Sequence, residues 1–191
     1  EVNFISKKLN VKKKKNSFLI NAILENDQSS LNSNILKLLN LSFENIIIDD
    51  AKFKTNNEFS LEIDEKFKVK NIILNSDINI TKLKYKKLKI INNYFPEVDE
   101  FILLDNHNLN INYKDSNLSI KGEGKIQLNN DEVDEIRYLI NKKNNDLSID
   151  SELFLKNIVL KQQDFLKIFF PQNYRNIYFN DQKLKINFKN N

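Results

Sequence analysis

Residues able to do chemistry are few in this chain and widely scattered. His107 is the sole histidine, and there is no cysteine. A histidine in "DNHN" (105–108) could serve as a general base or a metal ligand. A zinc site needs three or four convergent His, Cys or carboxylate donors, and one histidine with scattered acids does not supply them. Acidic residues cluster at Asp49–Asp50 and at Asp131–Glu132 with Asp134–Glu135. Calcium loops space their oxygens as Asp-x-Asp-x-Asp-Gly. That spacing is missing here, so these acids read as solvated turn or edge residues. His107 reads in the same way, as a solvated turn residue. There is no phosphate loop, nucleophile elbow or dinucleotide motif. The expectation is therefore a protein that is not an enzyme and that uses no cofactor or metal.

The charge pattern points away from nucleic acid. The net charge is +4, and Arg137 and Arg175 are the only arginines. A nucleic-acid groove concentrates arginine on one basic face, whereas here lysines alternate with Asn, Asp and Glu, as on a solvated sheet face. "KKKK" (12–15) could meet anionic headgroups. Its expected place is a turn between strands, where lysines guard sheet edges. The sequons at Asn40, Asn79 and Asn117 are what an asparagine-rich chain produces by chance.

The elements that carry these residues are strands. Apolar residues alternate with polar ones at Phe18, Ile20, Ala22 and Leu24, then at Phe59, Leu61 and Ile63. The alternation returns at Leu74, Ile78 and Ile80, with Ser76 in phase. It continues at Leu109, Ile111 and Tyr113, at Leu147, Ile149, Leu153 and Leu155, and at Leu184, Ile186 and Phe188. Many half-buried strands at short spacing predict an all-β, antiparallel protein. With two glycines and two prolines in 191 residues, Asn and Asp must make the turns. "DNHN", "KDSN", "KKNND" and "FNDQ" are the expected tips. A short helix is expected around Ile35, Leu38 and Leu39 behind Ser33 or Asn34. "DEVDEIRYLINKK" (131–143) fits either period and is read as a strand turning through "KKNND".

Both glycines, Gly122 and Gly124, fall in "NLSIKGEGKIQLNN" (117–130). They occupy the apolar phase set by Leu118, Ile120, Ile126 and Leu128. Three readings stand: they let the strand bend, they leave room above the sheet, or they mark a bulge.

The chain also repeats itself. "YFPEVDEFILLDNHNLNINYK" (94–114) aligns without a gap on "FFPQNYRNIYFNDQKLKINFK" (169–189). The offset of 75 residues sets both prolines, Pro96 and Pro171, on each other and Leu109 on Leu184. A fainter copy sets "LNVKKKKNSFLINA" (9–22) on "LNINYKDSNLSIKG" (109–122), placing Ala22 on Gly122. The unit is a β-meander, with copies over about 1–70, 71–145 and 146–191, the last incomplete. The lack of methionine leads us to expect a fragment, 1–191, of one longer repetitive β domain.

"DNHNLNINYKDSNLSIKGEGKIQL", with "NYFPEV" and "FSLEIDEKFKVKNIILNSDINITKLKY" beside it, resembles the AsmA-like repeat region of large bacterial envelope proteins, in particular the YhdP-like branch. The resemblance covers residues 43–191. It implies an elongated, strongly curved antiparallel sheet of meander repeats, forming an open trough or jelly-roll-like layer. It implies a periplasmic location, an inner-membrane anchor outside this sequence, and transport of phospholipid between inner and outer membranes. Phospholipid acyl chains would be the partner, with no catalytic residues. The groove lining would be Phe59, Leu61, Ile63, Ile78, Ile80, Leu109, Ile111, Tyr113, Leu118, Ile120, Gly122, Gly124, Ile126, Leu128, Leu153, Leu155, Leu184, Ile186 and Phe188. The alternative reading is a structural or adhesive β-repeat protein with a closed, filled core.

Overall fold

A computed structural model describes residues 3–31, 48–87, 92–129, 133–169, 171 and 176–190. Within them the chain forms one nine-stranded sheet whose spatial order is its sequence order. The strands are β1 (Ile5–Lys13), β2 (Ser17–Leu31), β3 (Ile48–Asp64), β4 (Val69–Lys86), β5 (Phe101–Lys114), β6 (Asn117–Gln127), β7 (Asp134–Lys143), β8 (Asp146–Lys161) and β9 (Asn176–Asn190). Every neighbouring pair is antiparallel. The sheet is not closed: β1 and β9 each pair on one side only. A short 3-10 turn spans Asp164–Ile168. The expected helix around Ile35–Leu39 lies outside the described residues, as do Asn40, Asp131, Glu132 and Arg175.

The all-β expectation holds, and residues 134–143 form a strand as read. Turn chemistry follows the asparagine and aspartate expectation in part. Asp115 and Ser116 both have positive φ, 50° and 63°, the signature of a two-residue type I′ hairpin. Asn144 does the same work between β7 and β8, at φ 53°. "KKKK" sits at the β1–β2 turn, where Lys14 pairs with Glu62 at 3.0 Å.

"DNHN" and "FNDQ" are not tips. Both lie inside long strands, β5 and β9. Asn106 (φ 47°) and Asp181 (φ 50°) adopt the left-handed conformation there, and the β5–β6 register slips between Asp105 and Asn108. At Asn106 the left-handed residue makes a bulge against β6, not a reversal, while β9 runs through Asp181 in unbroken register with β8. The phase of the apolar residues changes at this point, from Ile102 and Leu104 to Leu109 and Ile111.

Pairing lines up one apolar face. Ile111, Ile120, Ile140, Ile149 and Phe188 run across five adjacent strands. A second row reads Ala22, Phe59, Leu74, Tyr113 and Leu118. The opposite face is polar, as in the Asn79–Asn108 side-chain bond at 2.8 Å and the Asn110–Asp77 bond at 2.7 Å.

The buried apolar cluster lies at one end of the apolar face. Val98, Ile102, Ile126, Leu128 and Leu155 form the core, with Tyr85, Phe95, Leu104, Ile136, Leu153 and Ile158 packed against it. The "YFPEV" segment folds over that end. Its Tyr94 carbonyl accepts from the Lys161 amide at 2.7 Å, and the Asp99 amide donates to Leu128 at 2.8 Å.

Candidate functional site

The apolar face is the surface with the fewest polar constraints, and its geometry follows from the pleat. Residues two apart along a strand share a face. Leu118, Ile120, Gly122, Gly124 and Ile126 therefore present one side of β6 to the ladder. Leu109, Ile111 and Tyr113 sit opposite Gly122, Ile120 and Leu118. Ile78 pairs with Leu109, Ile80 with His107, and Leu153 with Leu184. Phe59 pairs with Leu74, while Ile63 and Leu61 lie toward the end of the β1–β2 and β3–β4 turns, opposite Phe18 and Ile20. Most of these side chains are half-buried, and Ile126, Leu128 and Leu155 are buried in the core at the far end.

A polar insert interrupts this face on the β2–β4 side. Asn26 and Ser29 are buried and bonded to each other at 2.6 Å. The Thr55 amide donates to Asn26 Oδ1 at 2.6 Å, and Ser76 Oγ donates to Asn57 Oδ1 at 2.5 Å. The insert is internally hydrogen-bonded, which removes most of the cost of its burial. The uninterrupted apolar ladder therefore belongs to β5–β9.

The two glycines receive neighbours. A Cβ on Gly122 would fall inside the ring of Tyr138, whose strand partners are Gly122 and Ser151. Two small residues flank this tyrosine, and its ring lies down over the glycine. A Cβ on Gly124 would sit 2.6 Å from the Cα of His107 and 2.9 Å from the carbonyl of Asn106. The bulge in β5 pushes its backbone onto β6 at this point, and only glycine accepts so close an approach. The space above both glycines is thus occupied by Tyr138 and His107.

His107 is fully buried, which corrects its reading as a solvated turn residue. Its Nε2 lies 3.0 Å from the Tyr138 hydroxyl, and the two rings stack with centroids 5.5 Å apart. Nδ1 has no hydrogen-bond partner among the described residues. Burial lowers the imidazole pKa from its ordinary 6.5, against the opposing pull of Glu123. Burial also pushes the Tyr138 phenol up to about 12. The pair is therefore neutral near pH 7 and holds no charge for chemistry. Asp134 is also not solvated: it is buried and accepts from the Lys156 amide at 2.9 Å.

Two of the surface hollows contrast in character. The larger, about 550 Å³, opens on the polar face among Glu25, Asp27, Lys54, Asp77, Asn108 and Lys121. A smaller apolar one, about 190 Å³, is lined by Phe95, Leu155, Ile158, Leu160, Phe179 and Leu184. Among the described residues no group of three or more His, Asp or Glu could hold a metal ion.

Sequence reasoning missed Ile102, Leu104, Ile158 and Tyr85 on the core side of the crease. The phase slip from Leu104 to Leu109 was the available signal. Ile136 and Ile140 complete the ladder through β7, and Phe95 closes its end. None of the family models, curated proteins or solved structures compared with this chain matches it.

Proposed function

We propose that the apolar ladder of β5–β9 shelters phospholipid acyl chains, in a protein of the AsmA-like kind that works in the periplasm beside an inner-membrane anchor. The observation that carries this reading is the row Ile111, Ile120, Ile140, Ile149 and Phe188, which runs across five strands without a second layer over it among the described residues. An uncovered apolar surface of that extent marks a binding face. The apolar hollow beside Phe95 and Leu184 gives a chain end a place to stop. No covalent step is required. Burial of apolar surface stabilises by roughly 25 cal/mol per Å², and equivalent positions along a uniform ladder let a chain shift with little change in free energy. A strongly curved trough around the chain is part of the proposal.

The test is direct. The purified protein is extracted with organic solvent and the extract weighed by mass spectrometry. Stoichiometric phospholipid, lost in Ile120→Asp and Ile149→Asp variants that keep their β-sheet circular dichroism, supports the reading. A folded, lipid-free protein that also fails to take up lipid from vesicles overturns it.

A second reading has its own support. Tyr138 and His107 fill the glycine positions, and the Asn26–Ser76 insert is bonded within itself. A structural β-repeat whose apolar face packs on a protein layer would use that arrangement equally well. It predicts a lipid-free extract.

A further inference from the structure

The sheet carries a period of four strands, and β9, of the same type as β5, pairs on one side only. The offset of 75 residues maps β5 (Phe101–Lys114) onto β9 (Asn176–Asn190). Asn106, in the β5 bulge, and Asp181 correspond, and both are left-handed. The buried Ile102 and Ile177 correspond as well. At the other end, β1 and β2 align on β5 and β6 at an offset of 100, and the β1–β2 register slips between Ser6 and Lys8, as β5–β6 slips between Asp105 and Asn108. So β1, β5 and β9 are one type of strand, and β2 and β6 another.

What differs is the company. In β5, Leu109, Ile111 and Tyr113 are half-buried because β6 lies beside them, with Gly122, Ile120 and Leu118 opposite. Their counterparts in β9, Leu184, Ile186 and Phe188, are 38–48% exposed, and β9 pairs with β8 alone. Lysines often guard such an edge. Here Lys183 and Lys185 are both engaged by Glu152 of β8, at 2.8 and 3.1 Å.

We propose that the free edge of β9 is a docking site for one antiparallel strand of the β6 type, supplied by another repeat of this kind. The register is set by β5–β6. An aliphatic residue faces Phe188, a β-branched one faces Ile186, and a small residue faces Leu184, as Gly122 faces Leu109 and Ala22 faces Leu9. A second small residue, equivalent to Gly124, lies against Asp181–Gln182, the positions that match Asn106–His107 of β5. Main-chain hydrogen bonds supply affinity and the small residues supply selectivity. A second copy's β1 or β9 does not meet these needs, since either would set large residue on large.

Asn190 and Asn191 fall where Asp115 and Ser116 stand, so the test extends the full chain after Asn191 with a second copy of residues 117–130. Amide hydrogen exchange is read along β9. The expected result is slowing by at least about tenfold at the β9 amides that do not bond to β8, with a higher melting temperature. Deleting one residue from the middle of the added copy flips its apolar face and should abolish the slowing. So should Gly122→Leu with Gly124→Leu made in the added copy only. Unchanged β9 exchange in the extended chain overturns the proposal, as does equal slowing by the slipped or leucine copies. Protection of β9 in the unextended chain that grows with concentration would show self-pairing, and would overturn it too.

Discussion

Strands β5 and β9 share their sequence pattern and a left-handed residue at the matching position, yet they end in different surroundings. His107 in β5 is fully buried against Tyr138, whereas its counterpart Gln182 is exposed and donates to the Asn180 carbonyl at 2.8 Å. Leu109 and Ile111 are half-buried, and Leu184 and Ile186 are exposed. The left-handed backbone is therefore local chemistry: Asn or Asp with polar neighbours. Burial is a property of the flanking strands. Glycine marks the difference, because Gly122 and Gly124 belong to the strand that β5 has beside it and β9 lacks.

The largest effect should come from the packed end of β5. Ile102→Ala removes a fully buried side chain from the core and should cost about 2–5 kcal/mol, read as a drop in the urea midpoint. Gly124→Ala comes next. Its new methyl would meet the His107 backbone at 2.6 Å, and backbone held by two neighbouring strands yields little. A cost of about 1–3 kcal/mol follows from overpacking. Gly122→Ala should cost less, because the Tyr138 ring can swing away, and its signature is loss of the His107–Tyr138 contact in NMR spectra. If Gly124→Ala proves neutral, the close approach of the two strands is wrong.

The comparison sharpens with matched substitutions. Ile111→Ala should cost about 1 kcal/mol and Ile186→Ala less than about 0.5 kcal/mol, because only the first loses contacts on both sides. Equal costs would mean that β9 is as well covered as β5.

The smallest effect is a pH slope. His107 is held below its ordinary pKa of 6.5, chiefly by burial. Below about pH 6.5 the unfolded chain takes up a proton that the folded chain refuses, so stability rises with pH through that window and is fully present above it. His107→Gln, which gives β5 the residue that β9 carries, should flatten the urea midpoint between about pH 5 and pH 7. Gln182→His should leave that profile unchanged, since an exposed imidazole titrates alike in both states.

Much of the fold was legible because alternation has a period of two and a face to fill. Leu118, Ile120, Ile126 and Leu128 share a side in the sequence and on the sheet. The strand at 134–143 followed from the hairpin that "KKNND" had to make. What misled was "DNHN" and "FNDQ". Turn-forming residues also form bulges, and composition alone does not distinguish a reversal from a one-residue slip. The apolar phase does, moving from Ile177 and Phe179 to Leu184 and Ile186. The occupant of the glycine gaps was out of reach for a different reason. Tyr138 and His107 come from two other strands, and their meeting depends on a register that no single segment contains. Asp134 was hidden likewise, since its partner is a backbone amide 22 residues along.

The unbroken order β1 to β9 also bears on how the molecule comes apart. Each strand is held only by the strands before and after it in the chain, so no long loop must close before any pairing forms. Such a sheet can assemble from its short-turn hairpins, β1–β2, β3–β4, β5–β6 and β7–β8, and grow outward as nearest-neighbour arrays do. A force applied at the two ends would meet β1 and β9 first, each held along one side. Under load the sheet should peel strand by strand, in steps about the length of a strand, and stop at the packed end where Ile102 and Ile126 meet.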